Sequence, residues 1–207
     1  AFQFMISHPI ISCSVVGLIL GNAPVGFMIG ILLELIWLNE IPTGAAKFSE
    51  GNVGATIGAA CAIYTASVTS RISTSVVIAL FVAVVTSIIA GRLVVLMRAF
   101  NTRIYDNLMK SQVITAGQIQ WAHVKGLLLS FGLGFCITFT LLTLLVPHVL
   151  PYIVKLIPLR FDPYIEPVMT VFLGVGCGVS LFIFKDHKYW WLIFIGLLAG
   201  LVIFFLL

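Results

Sequence analysis

Charge is what this chain has least of. Seven carboxylates and eleven Lys or Arg residues are spread over 207 positions, 9% of the whole, where an ordinary soluble domain carries about 25%. So few charges cannot cover the surface of a water-soluble body this size. The basic residues are scattered rather than gathered on one face, which excludes a nucleic-acid footprint. The four cysteines (Cys13, Cys61, Cys136, Cys177) are far apart, each within an apolar run, and read as buried small hydrophobes rather than a disulfide or metal framework. No Walker loop, GxSxG element or CxxC pair occurs. The run Gly174 to Ser180, GVGCGVS, mimics a dinucleotide fingerprint but lies inside an apolar span with no strand before it, so close helix packing is the better reading. No cofactor and no metal is expected.

What the chain does have is hydrophobicity: 61% apolar residues and a mean hydropathy of +1.19. Lipid must cover that surface, and only helices or closed barrels satisfy their backbone inside lipid. Barrel strands would alternate over about ten residues. Here the apolar runs are continuous and about twenty residues long, the length a bilayer core needs. Ile72 to Gly91, Gly126 to Val146, Pro167 to Phe184 and Tyr189 to Leu207 read as spans, the second stopped by Pro147 and Pro151. Gly51 to Ser70 is charge-free too, but rich in Gly, Ala, Ser and Thr, a composition for packing against other helices. Loop charge sets orientation. Arg98 to Lys125 belongs in the cytoplasm, Pro147 to Glu166 outside, and Lys185 to Lys188 in the cytoplasm again. Phe100 to His123 is too polar to span and reads as an amphipathic cytoplasmic helix at the interface.

The first region is broken. Gly21-Asn22-Ala23-Pro24 interrupts the uncharged run from Pro9 to Leu33, stopping one helix near Leu20 and starting another at Pro24. The second piece is short for a span and runs into the polar stretch Asn39 to Lys47. That is the pattern of a re-entrant element, and interrupted hydrophobic segments point to transport sites. Three of the four glutamates, Glu34, Glu40 and Glu50, fall in or beside it. Glu34 sits between Leu32-Leu33 and Leu35-Ile36, and a carboxylate there is costly unless it is paired or faces a polar cavity. It caps the loop backbone at Asn39 to Gly44 or pairs with Lys47, or else it binds a sugar or a cation. With Gln3, Asn39, Glu40, Glu50 and Asn52 it makes a set of acceptors and amides suited to several hydroxyls at once. Asp106, Asp162 and Asp186 read as solvated loop residues, Glu166 as a carboxylate at a helix start, and His8, His123, His148 and His187 as interfacial or packed imidazoles.

The expected architecture is therefore an all-α integral membrane protein. It is a multi-helix bundle with an interrupted, re-entrant N-terminal segment (1–70), a span plus cytoplasmic amphipathic segment (71–125) and three further spans (126–207). The runs Gln3-Phe4-Met5-Ile6-Ser7-His8-Pro9, Gly17-Leu18-Ile19-Leu20-Gly21-Asn22, Gly26, Gly30, Leu33-Glu34-Leu35-Ile36-Trp37-Leu38 and Pro42-Thr43-Gly44-Ala45-Ala46 resemble the IIC subunit of the mannose/fructose/sorbose class of the bacterial phosphotransferase system. The detailed likeness covers roughly the first sixty residues, the rest agreeing in hydropathy and length. The resemblance implies a multi-pass inner-membrane subunit that conducts a hexose or amino-hexose. It would work with a second membrane subunit, IID, with cytoplasmic phospho-IIB (served by IIA) as phosphoryl donor, and within a symmetric oligomer. Gln3, Glu34, Glu50 and Asn52, with Asn39 and Glu40 beside them, are the implied sugar-site residues. The rival readings are an ion-coupled secondary transporter, with Glu34 carrying a proton or Na⁺, and a structural or assembly subunit of a membrane complex. A membrane-embedded enzyme finds no nucleophile–base pair in the sequence.

Overall fold

The computed structural model describes residues 8–37, 50–110 and 115–183, together with Trp191, Ile195 and Leu198. The described residues form helices α1 (Pro9–Ile19), α2 (Ala23–Trp37), α3 (Gly51–Thr69), α4 (Ile72–Met109), α5 (Ala116–Thr140), α6 (Val146–His148), α7 (Leu150–Leu156) and α8 (Asp162–Ile183). A π turn, Leu141–Leu145, joins α5 to α6, and a 3₁₀ turn, Leu159–Phe161, precedes α8.

α1 and α2 form an antiparallel hairpin, and the break predicted at Gly21 is where the chain reverses. Gly21 has φ +77°, a left-handed conformation that costs a residue with a Cβ about 1–2 kcal/mol. Asn22 then caps α2, its Oδ1 accepting from Val25 N–H at 3.3 Å. The two helices touch backbone to backbone: a Cβ built on Gly26 would sit 2.5 Å from the Cys13 carbonyl oxygen. At 11 and 15 residues they are about 16 and 22 Å long, short of the roughly 30 Å of a bilayer core.

α3 is the hub, in contact with α1, α2, α4 and α7. Its small residues let α4 come close, since a Cβ on Gly54 would meet the Ala83 carbonyl at 2.4 Å. Ile29, Leu33, Ile57 and Leu80 are fully buried at the junction of α2, α3 and α4. In lipid this seam is held by dispersion and close packing rather than by expulsion of water. α8 closes the bundle against α2 and α4, with Phe172 edge-on to Phe81 at 5.2 Å.

α4 and the run Ala116–Leu156 are each long and apolar enough to cross a membrane. Four details differ from expectation. The stretch Phe100 to His123, described at 100–110 and 115–123, is not one interfacial helix. Its first part continues α4, a single helix of 38 residues, and its last part opens α5, which a Thr115/Gln118 capping box starts. Pro147 and Pro151 do not end the second span: each stands in the first turn of a new helical piece, where a missing N–H costs nothing. Cys13 and Cys61 are buried as expected, but Cys136 and Cys177 are exposed, the first because α5 buries no residue in this chain, the second on α8.

The fourth concerns Asp162, which is not a solvated loop residue. It opens α8 and receives the Arg71 guanidinium through Nε, at 3.0 Å to Oδ2, and through Nη2. Thr74 Oγ donates to it at 2.6 Å, while Arg71 Nη1 donates to the Val154 and Ile157 carbonyls, each at 2.6 Å. One side chain, only 10% exposed, thus ties the α3–α4 turn to the end of α7 and the start of α8. The Arg71 guanidinium, with Thr74, holds the Asp162 carboxyl below the usual carboxylate range.

Candidate functional site

The hairpin brings the start of α1 and the end of α2 to the same end of the bundle. α1 begins without help from its own sequence: its N-cap, His8, makes no side-chain cap and its first turn carries no acid. Pro9 has no N–H to satisfy, and the N–H groups of Ile11 and Ser12 both reach the His8 carbonyl at 3.0 Å. Ile10 N–H is left over, and Glu34 of α2 takes it, Oε2 accepting at 3.2 Å. The other oxygen, Oε1, lies 2.7 Å from His8 Nδ1. A carboxylate at a helix N-terminus is favoured by the backbone dipoles as well as by the hydrogen bond. The pair resolves how a glutamate sits among leucines: each oxygen has a protein partner, and its side chain remains 20% exposed. His8 is more open, its side chain 55% exposed.

One turn beyond Glu34, the Trp37 ring lies along the first turn of α3. Cβ atoms built on Gly51 and Gly54 would fall 3.0 Å from its Cε3 and 3.2 Å from its Cη2. Glu50 N-caps α3, and its N–H donates to the Ser87 carbonyl of α4 at 2.9 Å. Asn52, in the first turn of α3, is exposed, and its backbone carbonyl accepts from Thr56 Oγ at 2.9 Å. His8, Glu34, Trp37, Glu50 and Asn52 therefore converge at one end of the α1–α3 cluster. The Ser87 contact fixes the depth of that end. Ser87 lies about 22 Å along α4 from Ile72 and about 6 Å before Gly91, where the uncharged run ends.

Of the six residues predicted for the site, Glu34, Glu50 and Asn52 are brought to this end. Gln3, Asn39 and Glu40 lie outside the described residues, as do the loop 39–44 and Lys47 that were the expected structural partners of Glu34. The partners Glu34 does have, His8 and Ile10, escaped the sequence reading. The available signal was a helix opening His-Pro with no acid of its own, facing a helix with a single carboxylate. Chemically this end of the bundle carries carboxylate and amide groups, an imidazole and an indole. Such a set accepts hydrogen bonds from several hydroxyls and stacks against a flat apolar ring.

Comparison with known proteins converges on one family. The family model for the PTS system sorbose-specific IIC component matches residues 1–205. Two sorbose-specific EIIC components align with the chain at 40% identity. That of Klebsiella pneumoniae does so over 57 residues, 28% of this chain and 21% of the relative. That of Lacticaseibacillus casei does so over 55 residues, 27% and 20%. The matched segment thus spans about a fifth of the length of these relatives. A solved chain described as a membrane protein shares the fold, with a TM-score of 0.71 at 19% identity, over 96% of this chain and 78% of its own.

Proposed function

The chain belongs to the sorbose-specific IIC component family of the phosphotransferase system, and from that premise we propose that it holds a hexose or amino-hexose at the end where α1, α2 and α3 meet. Members of the family are integral membrane transporter subunits. Glu34 is the central ligand in this proposal. Its carboxylate is held at two points by Ile10 N–H and His8, so its remaining lone pairs are pre-oriented for sugar hydroxyls with little further ordering cost. Glu50, Asn52 and, from segments flanking the described helices, Gln3, Asn39 and Glu40 supply the other polar contacts. Trp37 supplies the apolar wall for the ring.

The level of the site favours group translocation over simple passage. With the basic end of α4 in the cytoplasm, the site stands at the end of the α1–α3 cluster that packs on the later, cytoplasm-directed part of the uncharged run of α4. A sugar bound there is near enough to the inner face for a cytoplasmic phospho-IIB subunit to phosphorylate it. A second membrane subunit, IID, completes the enclosure, and the assembled permease sits as an oligomer in the bacterial inner membrane. This chain supplies positioning and hydrogen bonds, and the donor supplies the activated phosphoryl group.

The observation that carries the proposal is the carboxylate of Glu34, held at two points by Ile10 N–H and His8 at the end where α1, α2 and α3 meet. Vesicles containing the chain with its IID partner test it: IIB-dependent sugar phosphate should form, and Glu34→Gln should abolish it. Uptake that collapses with the ion gradient, without sugar phosphate, would assign the chain to ion-coupled transport instead.

A further inference from the structure

Far from the hairpin, the polar end of α4 and the start of α5 enclose a groove of about 570 Å³. Its walls are largely apolar, with Ile104, Leu108, Ile119 and Leu127, and four polar groups enter it: Asn101, Tyr105, His123 and Ser130. Asn101 Oδ1 is buried and has no hydrogen-bond partner among the described residues. It stands at the membrane-side end of the groove, 3.6 Å from where a Cβ on Gly126 would be. A buried amide oxygen without a donor is costly, so something that donates belongs beside it.

The surroundings identify the donor's class. Gly126 opens the uncharged run of α5, so the groove lies at the level of the lipid head groups. Trp121 and Tyr105, both exposed, mark that level as interfacial aromatics do. In the sequence Arg98 stands one turn before Asn101 and Lys125 directly before Gly126. Arg103 and Lys110 add to the positive field from the outer side of α4, against the single carboxylate of Asp106. Beyond the groove the surface of α5 stays apolar and uncovered, with Phe131, Phe135 and Phe139 stacked in a line along it.

We propose that this groove binds one anionic phospholipid of the inner leaflet whose head group carries a hydroxyl, as phosphatidylglycerol and cardiolipin do. The juxtaposition requires each part. The basic rim takes the phosphate, a head-group hydroxyl donates to Asn101 Oδ1, and the acyl chains leave past Ser130 along the phenylalanine line. Phosphatidylcholine has the phosphate but neither net negative charge nor a hydroxyl, so it is the discriminating control.

The test uses the full chain in its IID complex, stripped of lipid in detergent and titrated with each lipid under native mass spectrometry. Phosphatidylglycerol should bind in a saturable one-to-one step at least tenfold more tightly than phosphatidylcholine. Gly126→Leu, which fills the groove, should abolish that step. Asn101→Leu, which removes the amide but keeps the shape, should erase most of the preference and serves if Gly126→Leu fails to assemble. Arg103→Ala, on the outer face, should weaken binding only slightly. Equal binding of both lipids, or phosphatidylglycerol binding unchanged in Gly126→Leu and Asn101→Leu, would overturn the proposal. So would loss of IIB docking in these variants with lipid binding intact, which would make the groove a protein contact.

Discussion

Glu34 Oε1 and His8 Nδ1 stand 2.7 Å apart, joining the last turns of α2 to the first residue before α1. The carboxylate closes a helix terminus and, in the same position, faces the open end of the bundle. Its structural and proposed binding roles are separable by substitution. Glu34→Ala removes the acceptor that Ile10 N–H has among the described residues and should destabilise the protein by about 1–3 kcal/mol. His8→Ala leaves that bond in place and should cost less than half as much. Thermal unfolding of the purified protein in detergent measures both, and equal losses would show that the imidazole, not the cap, is the stabilising contact.

The hairpin depends on glycine at its crossing. Gly26→Ala forces a methyl to within 2.5 Å of the Cys13 carbonyl. Backbone cannot yield there as a flexible side chain would, so the helices must splay, at about 1–3 kcal/mol. Gly21→Ala, at φ +77° with open space around it, should cost about 1–2 kcal/mol by strain alone. Disulfide trapping of cysteine pairs across α1 and α2 distinguishes the two: Gly26→Ala should slow cross-linking, and Gly21→Ala should leave it unchanged.

The Arg71–Asp162 contact makes stability depend on pH in a definite direction. Arg71 and Thr74 lower the Asp162 pKa in the folded state. The stabilisation is therefore fully present above the unfolded carboxylate value, about 3.9, and is lost as pH falls through the depressed folded value. Asp162→Asn should lower the unfolding temperature at neutral pH and flatten its decline in acid. Arg71→Lys should not rescue, because one ammonium cannot reach the carboxylate and the Val154 and Ile157 carbonyls together. Unfolding temperature recorded from pH 7 downward decides the matter, and an unchanged acid limb in Asp162→Asn would contradict it.

Much of the fold was legible because lipid imposes simple rules on sequence. The uncharged run after Arg71 gives α4, Gly21-Asn22-Ala23-Pro24 gives the reversal, and the small residues from Gly51 onward give the close seam with Ala83 and Ser87. What was not legible came from partnerships between distant segments. Asp162 looks solvated because its loop is polar, yet Arg71, 91 positions away, folds back to meet it. Pro147 looks terminal because proline ends helices, but the π turn before it starts a fresh piece in which that proline fits. For the candidate site, the sequence supplied Glu34, Glu50 and Asn52 by type and clustering. It could not supply His8 or Ile10, because the pairing depends on the hairpin's register and not on local spacing.

The most direct measurement is IIB-dependent phosphorylation of a panel of hexoses and amino-hexoses by vesicles holding this chain with its IID partner, wild type beside Glu34→Gln. The amide keeps the shape and can still accept from Ile10 N–H, so assembly should survive while the charge is lost. Sugar phosphate formed by wild type and reduced at least a hundredfold in an assembled Glu34→Gln complex is the predicted result. Undiminished phosphorylation in the variant would remove Glu34 from the sugar site, and no sugar phosphate from the wild type with an active IIB would contradict group translocation itself.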